Sequence, residues 1–444
     1  MACARIAVVG LWHLGCVAAA SLARLGHTVR ATDFDAGTLG SLLRGVLPVY
    51  EPGLAELIDE QMGNGRLDFL PSCQEAFAGA DFIFITFDTP VGEEDQSDLS
   101  PILAAFEAIA EARGAVEIVV MSQVPVGTCR ELAEQLCARA PQLSFSLVYH
   151  PENLRLGEAL ETFLQPDFLL VGADDPAAAE RLLGLYSGVA APCLTMSIRS
   201  AEMTKHALNA YLATSISFVN ELASLAETCG ADVRDVVRAL RHDRRIGPRA
   251  FLSPGPGFSG GTLGRDVQSL RHLGERSGRK TLQLDATLAV NAERLPALRE
   301  KIRRACGGLQ GICVGLLGLT YKPGTNTLRR SHAIELARLL LSAGAHVQAF
   351  DPCVTQPRPE THGITLCADA YQAAESADAM VIMTPWPEFQ KLDLTRLRRA
   401  MRQGVLIDAH NCLDDRAARR AGFQYSGIGI PDQFEERNAV GVAQ

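Results

Sequence analysis

The feature that most constrains this chain lies at its start. The apolar run Arg5-Ile6-Ala7-Val8-Val9 ends in Gly10-Leu11-Trp12-His13-Leu14-Gly15, an alanine-rich helical stretch follows, and a second β-branched run, Thr28–Thr32, closes on Asp33. Strand, glycine turn, helix and strand in this order form a βαβ unit, which commits the chain to a parallel sheet covered by helices. The rhythm continues through Phe82–Thr86, Glu117–Ser122, Ser146–Tyr149 and Phe168–Val171. Such short β-branched runs between helical stretches extend the same sheet.

From about Ser200 to Gly230 the chain is apolar-periodic without proline, and a second helical stretch runs from Leu282 to Cys306. A new strand–turn start then appears at Gly311-Ile312-Cys313-Val314-Gly315-Leu316-Leu317-Gly318, followed by Ala345–Phe350, Ala379–Thr384 and Val405–Asp408. The fold class expected is therefore α/β: two Rossmann-like parallel-sheet domains, 1–198 and 306–444, joined by a helical central domain, 199–305.

In a dinucleotide-binding turn the first glycine allows the tight bend, the last lets helix and strand approach, and the amides of the helix start hold a pyrophosphate. Gly10 and Gly15 stand at those places, with His13 and Leu14 at the helix start, and Asp33 is timed to accept from a ribose hydroxyl, which favours NAD over NADP. Trp12 occupies the middle glycine's place. The alternative is a degenerate turn that binds nothing.

Composition excludes other classes. The net charge of −9 and the short basic run Arg241–Arg245 do not make a nucleic-acid surface, which needs clustered Lys and Arg. No stretch has the length of a membrane-spanning helix, and the start enters a strand without a charged leader, so the expected compartment is the cytoplasm with no membrane partner. The twelve cysteines are scattered without C-x-x-C spacing, which reads as buried free thiols and no metal site.

Gly45-Val46-Leu47-Pro48-Val49-Tyr50-Glu51-Pro52-Gly53-Leu54 resembles the Y-E-P-G-L segment of the UDP-glucose and GDP-mannose dehydrogenase family. The likeness continues in order through Thr89-Pro90, Asp98-Leu99-Ser100, Ser122–Thr128, Pro151-Glu152, Lys205 with Asn209, Arg245-Ile246-Gly247, Gly257-Phe258, Tyr321-Lys322-Pro323 and Trp386–Phe389. The resemblance implies a nucleotide-sugar substrate, with the sugar's primary alcohol oxidised first to an aldehyde and then, through a cysteine thiohemiacetal and thioester, to an acid.

The resemblance assigns Lys205, Asn209 and Asp266 to the alcohol proton and the developing oxyanion, and gives Glu152 a substrate-site role. It places Thr89, Gln123, Arg265 and Arg329 at the cofactor, and Gly257, Ser259 and Lys322 at the substrate. Arg245 resembles an arginine that reaches a neighbouring subunit's site, which implies a homodimer or higher homo-oligomer. Taken without the resemblance, a surface lysine, a helix-packing asparagine and solvated charges account for the same residues.

The chain departs from the family where the second oxidation is made. Gly257-Phe258-Ser259-Gly260-Gly261-Thr262-Leu263-Gly264-Arg265-Asp266 aligns without a gap to G-F-G-G-S-C-F-P-K-D, so Thr262 stands at the cysteine position. Gln123 replaces a threonine that helps place water, Leu156 replaces the second glutamate of N-P-E-F-L-R-E-G, and His150 replaces that segment's asparagine. A thiol ionises near neutral pH, whereas an alcohol needs a strong base beside it. The reading favoured is a two-electron, NAD-dependent oxidation of a nucleotide hexose. The alternatives are four-electron oxidation to a uronic acid without a cysteine, a redox-neutral epimerase with retained NAD, and a non-catalytic nucleotide-sugar-binding protein.

Overall fold

A computed structural model describes residues 3–89, 98–112 and 114–431; Pro90 of the Thr89-Pro90 pair and the end of the expected third domain, 432–444, lie outside the described residues. Two compact units divide between Leu208 and Asn209.

The first unit carries eight strands: β1 (Arg5–Val9), β2 (Thr28–Thr32), β3 (Leu67–Phe69), β4 (Phe82–Ile85), β5 (Ala115–Val120), β6 (Ser144–Tyr149), β7 (Leu169–Ala173) and β8 (Cys193–Met196), in the order β3-β2-β1-β4-β5-β6-β7-β8. Side chains alternate between its two faces. Ile6 and Val8 join a core with Val17 and Leu22 of the first helix, His13–Arg24, while Ala7 and Val9 face a second core with Ile83, Ile85 and Ile118. The expected strand over 168–171 is present but runs antiparallel to β6, pairing Tyr149 with Gly172. It starts beyond the carboxyl end of β6, so its last residues, Gly172 and Ala173, are the ones that pair with Tyr149 and Val148.

The second unit holds β9 (Cys313–Leu317), β10 (His346–Phe350), β11 (Ile364–Leu366), β12 (Ala379–Ile382), β13 (Val405–Asp408) and β14 (Gln424–Gly427), in the order β11-β10-β9-β12-β13-β14, all parallel. In both sheets the order reverses beside the first strand, and open α/β sheets bind ligands at such a switch point. The helical stretches expected near 200–230 and 282–306 are Ile198–Cys229 and Leu282–Cys306.

Lys301, on the inner side of Leu282–Cys306, pins that helix to the edge of the second sheet. Its buried Nζ donates to Glu227 Oε1 at 2.9 Å, Ser426 Oγ at 3.1 Å and the Gly427 carbonyl at 3.0 Å. Removing one partner of a buried pair strands the other charge. Lys301→Met should therefore destabilise the second unit by roughly 3 kcal/mol, read as a lowered midpoint in denaturant; an unchanged midpoint would show that the pair carries no net stability.

Candidate active site

At the end of β1, Gly10 has φ +101° and a Cβ there would stand 2.8 Å from the Phe87 amide nitrogen. A Cβ on Gly15 would stand 1.7 Å from the Gly10 carbonyl oxygen, so helix and turn touch only because both residues lack side chains. Trp12, the N-cap, is extended at φ −83° and ψ −155° with its side chain 38% exposed. The middle position thus needs no glycine geometry, and a bulky residue sits there without backbone strain. His13 and Leu14 open the helix, whose first amides have no intrahelical acceptor. Asp33 accepts from the Leu11 amide at 2.5 Å on Oδ2 and from the Asp35 amide at 2.8 Å on Oδ1. A carboxylate has further lone pairs for a ribose hydroxyl. Thr89 lies buried and its Oγ1 donates to the Gln123 carbonyl at 3.0 Å, joining the segments that follow β4 and β5.

Sequence reading quoted Glu51 in a motif but gave it no role. Its buried carboxylate accepts from His13 Nε2, from the Gly157 amide and from the Ala159 amide, each at 2.8 Å. Burial pushes its pKa up, yet the His13 and amide hydrogen bonds outweigh it and hold the carboxyl below its ordinary value.

Glu51 thereby anchors the segment after β6, which carries His150, Glu152 and Asn153. Lys205, on the helix Ile198–Cys229 and only 6% exposed, donates from Nζ to the Glu152 carbonyl at 2.5 Å and to Asn153 Oδ1 at 2.8 Å. Its ammonium is therefore fixed by oxygens of the segment that also presents the Glu152 carboxylate. Asn153, which adjoins Glu152, likewise has no role assigned to it from the sequence.

In the second unit Asn209 Nδ2 donates to Asp266 Oδ2 in a short, buried hydrogen bond. Asp266 lies in the first turn of the helix Leu263–Arg276, and Thr262 is its N-cap, exposed and making no side-chain cap bond. Arg265 is buried with Nε 4.0 Å from Asp266 Oδ1. The preceding loop is held by Asn291, which accepts from the Phe258 amide at 2.8 Å and donates to its carbonyl at 3.1 Å. Gly257, at φ +100°, packs so closely on Asn291 Oδ1 that no Cβ fits. Nothing in the sequence marks Asn291, one of many polar residues in a long helix. Ser259 is half-buried on the same loop, and a Cβ on Gly261 would lie 3.8 Å from Arg329 Cζ. Lys322 is half-buried after β9. Arg245 extends into solvent, 88% exposed, paired with Asp243 at 2.6 Å.

Glu51 generates a pH prediction. A depressed carboxyl contributes stability that is fully present above its unfolded value, near 4.5, and is lost as pH falls through the folded one. Glu51→Gln should lower the Tm at neutral pH and flatten the decline of Tm below about pH 4.5; wild-type and variant curves that stay parallel would assign the acid sensitivity elsewhere.

Residues 4–190 match the NAD binding domain of the UDP-glucose/GDP-mannose dehydrogenase family, 199–293 its central domain and 315–415 its UDP binding domain. The UDP-glucose 6-dehydrogenase of Rhizobium meliloti is 36% identical over 96% of this chain and 100% of its own length. That of Pseudomonas aeruginosa is 37% identical over 96% and 98%. The UDP-glucose dehydrogenase structure from the hyperthermophilic archaeon Pyrobaculum islandicum superposes with a TM-score of 0.90 at 35% identity, covering 97% of this chain and 98% of that one. Matched in order by all three family domains and over 96% of its length by these relatives, the chain belongs to the UDP-glucose/GDP-mannose dehydrogenase family of NAD-dependent oxidoreductases acting on CH-OH groups.

Proposed function

We propose that the chain oxidises one alcohol carbon of a nucleotide hexose, with UDP-glucose the first substrate to try, and stops at the carbonyl. The observation that carries this reading is the contrast between a buried, hydrogen-bonded Lys205, Asn209 and Asp266 and an exposed alcohol at Thr262. Gly10, Trp12, His13, Leu14, Gly15, Asp33, Thr89 and Gln123 in the first unit, and Arg265 and Arg329 in the second, would hold NAD, which supplies the hydride acceptor.

Asp266, oriented by Asn209, takes the hydroxyl proton, and the Lys205 ammonium steadies developing negative charge. Glu152, Gly257, Ser259 and Lys322 position the sugar nucleotide. Thr262 forms no thiohemiacetal, so the aldehyde leaves or is hydrated without a covalent hold. The cysteines are free, but only Cys16 and Cys129 are buried, contrary to the expectation that they fill the core; exposed free thiols such as Cys137 and Cys193 suit a reducing cytoplasm.

A homodimer is part of the proposal. Tyr211, Phe218 and Leu225 are exposed and recur every seven residues along Ile198–Cys229, an apolar stripe on one side of the helix. Arg245, exposed to solvent, would in such a dimer contact a second copy's sugar nucleotide.

Purified protein with NAD and UDP-, GDP-, ADP- and CDP-sugars should yield one NADH per sugar consumed and a carbonyl product by mass. Two NADH with an acid would overturn the two-electron reading, and NAD retained through purification with an epimerised sugar would replace it with a redox-neutral one. Lys205→Ala should lower turnover by about 10²–10⁴-fold while NAD binding persists. Phe218→Asp should convert a dimer to a monomer in sedimentation; a wild-type monomer would remove the dimer from the proposal.

A further inference from the structure

We propose that His150 and Glu152 hold one proton between their side chains and work together as an acid–base pair. The catalytic meaning of the pair rests on the oxidoreductase reading above, whereas its existence does not.

His150 is buried at the carboxyl end of β6, and its ring orientation is fixed. Nδ1 lies 2.7 Å from the Leu170 carbonyl oxygen, which can only accept, so Nδ1 carries a proton. The ring packs edge-on against Tyr186, with centroids 5.0 Å apart. Nε2 is left buried without an aligned hydrogen-bond partner, 3.3 Å from Oε1 of Glu152, whose side chain is itself only 9% exposed.

An imidazole lone pair facing an ionised carboxylate is repulsive, and a proton on either atom makes the contact attractive. The pair is therefore imidazolium with carboxylate or imidazole with carboxylic acid, and transfer of one proton from Nε2 to Oε1 interconverts the two. Taking a second proton from a bound hydroxyl leaves His150 as imidazolium and Glu152 as carboxylic acid; releasing it restores the pair. Unaligned hydrogen bonds of this kind in a ligand-free site are ordinary for groups that tighten during turnover.

The surrounding charges decide how readily that proton moves. Lys205 sits on the Glu152 carbonyl, and the Glu152 carboxylate is itself buried. Arg155 and Asp167 line the same cleft and lie 3.6 Å apart. Tyr186 does not compete as a base, because burial drives its phenol pKa well up. The pair thus gives a segment with leucine at 156 a proton-carrying group of its own.

The test follows imidazole ¹⁵N signals of the histidine-labelled full chain across pH, with His150→Asn identifying the His150 resonances by their loss. Nδ1 should remain protonated while Nε2 titrates, and Glu152→Gln should lower that midpoint by about one unit or more, since the carboxylate no longer favours the imidazolium. In parallel, the pH profile of NADH formation should lose one ionisation in both His150→Gln and Glu152→Gln, with folding verified by near-UV circular dichroism. A His150 midpoint unmoved by Glu152→Gln overturns the pair. A coupled titration with an unchanged rate profile in His150→Gln overturns its catalytic role, and a coupled titration without turnover of any nucleotide sugar keeps the pair and overturns the oxidoreductase reading.

Discussion

The first unit's site depends on one carboxylate. Glu51 takes the His13 ring and two amides of the segment after β6, and so ties the start of the dinucleotide helix to the segment bearing Glu152. A buried carboxylate is tolerated only where its lone pairs are taken up, and three donors at 2.8 Å do that here. The fixed segment then supplies the two oxygens that hold the Lys205 ammonium. Cofactor turn, carboxylate segment and lysine are thus positioned in series from Glu51, and a change at that residue reaches all three.

The two sheets repeat one construction, with different consequences. The Gly10 amide donates to the Thr32 carbonyl and the Gly318 amide to that of Phe350, while Asp33 and Asp351 each accept from the residue after the glycine and from a residue two positions beyond themselves. Asp351 also takes the Thr320 amide and hydroxyl and the Trp386 indole nitrogen, which saturates it in a buried position. In the first unit the turn runs directly into a helix at His13, while in the second the helix begins only at His332. Without helix amides at the turn, and with its aspartate closed, the second switch point lacks the elements that bind a dinucleotide. That is consistent with a match there to a UDP binding domain.

Central strands and long helices were legible because they are apolar in unbroken patterns; Leu282–Cys306 has the expected bounds in spite of Pro296. The strands that gave no signal, β3, β8, β11 and β14, are three or four residues long and lie at sheet edges, where one side needs no apolar partner. Residues that meet inside one motif, such as Gly10 and Gly15, could be read from spacing. The partners that fix the site could not: Glu51 finds amides at 157 and 159, and Asn291 holds Phe258 from another element. Nor could direction be read, since a run like Phe168–Val171 has the same composition whichever way it crosses its neighbour.

Thr262 shows how position and chemistry separate. It caps the N-terminus of Leu263–Arg276, where unsatisfied amides and the helix dipole favour negative charge. A thiol at such a place gains, because its ionisation lies close enough to neutrality for the field to produce thiolate. An alcohol ionises so far above that range that the same field leaves it neutral, and Thr262 does not even use its oxygen to cap the helix. A helix start that favours negative charge thus adjoins a side chain that its field leaves neutral. By contrast, the Asn209–Asp266 bond needs no thiolate and stands complete four residues further on. On the proposed reading, hydride removal and covalent capture place separable demands on this helix, and Thr262 bears on the second alone.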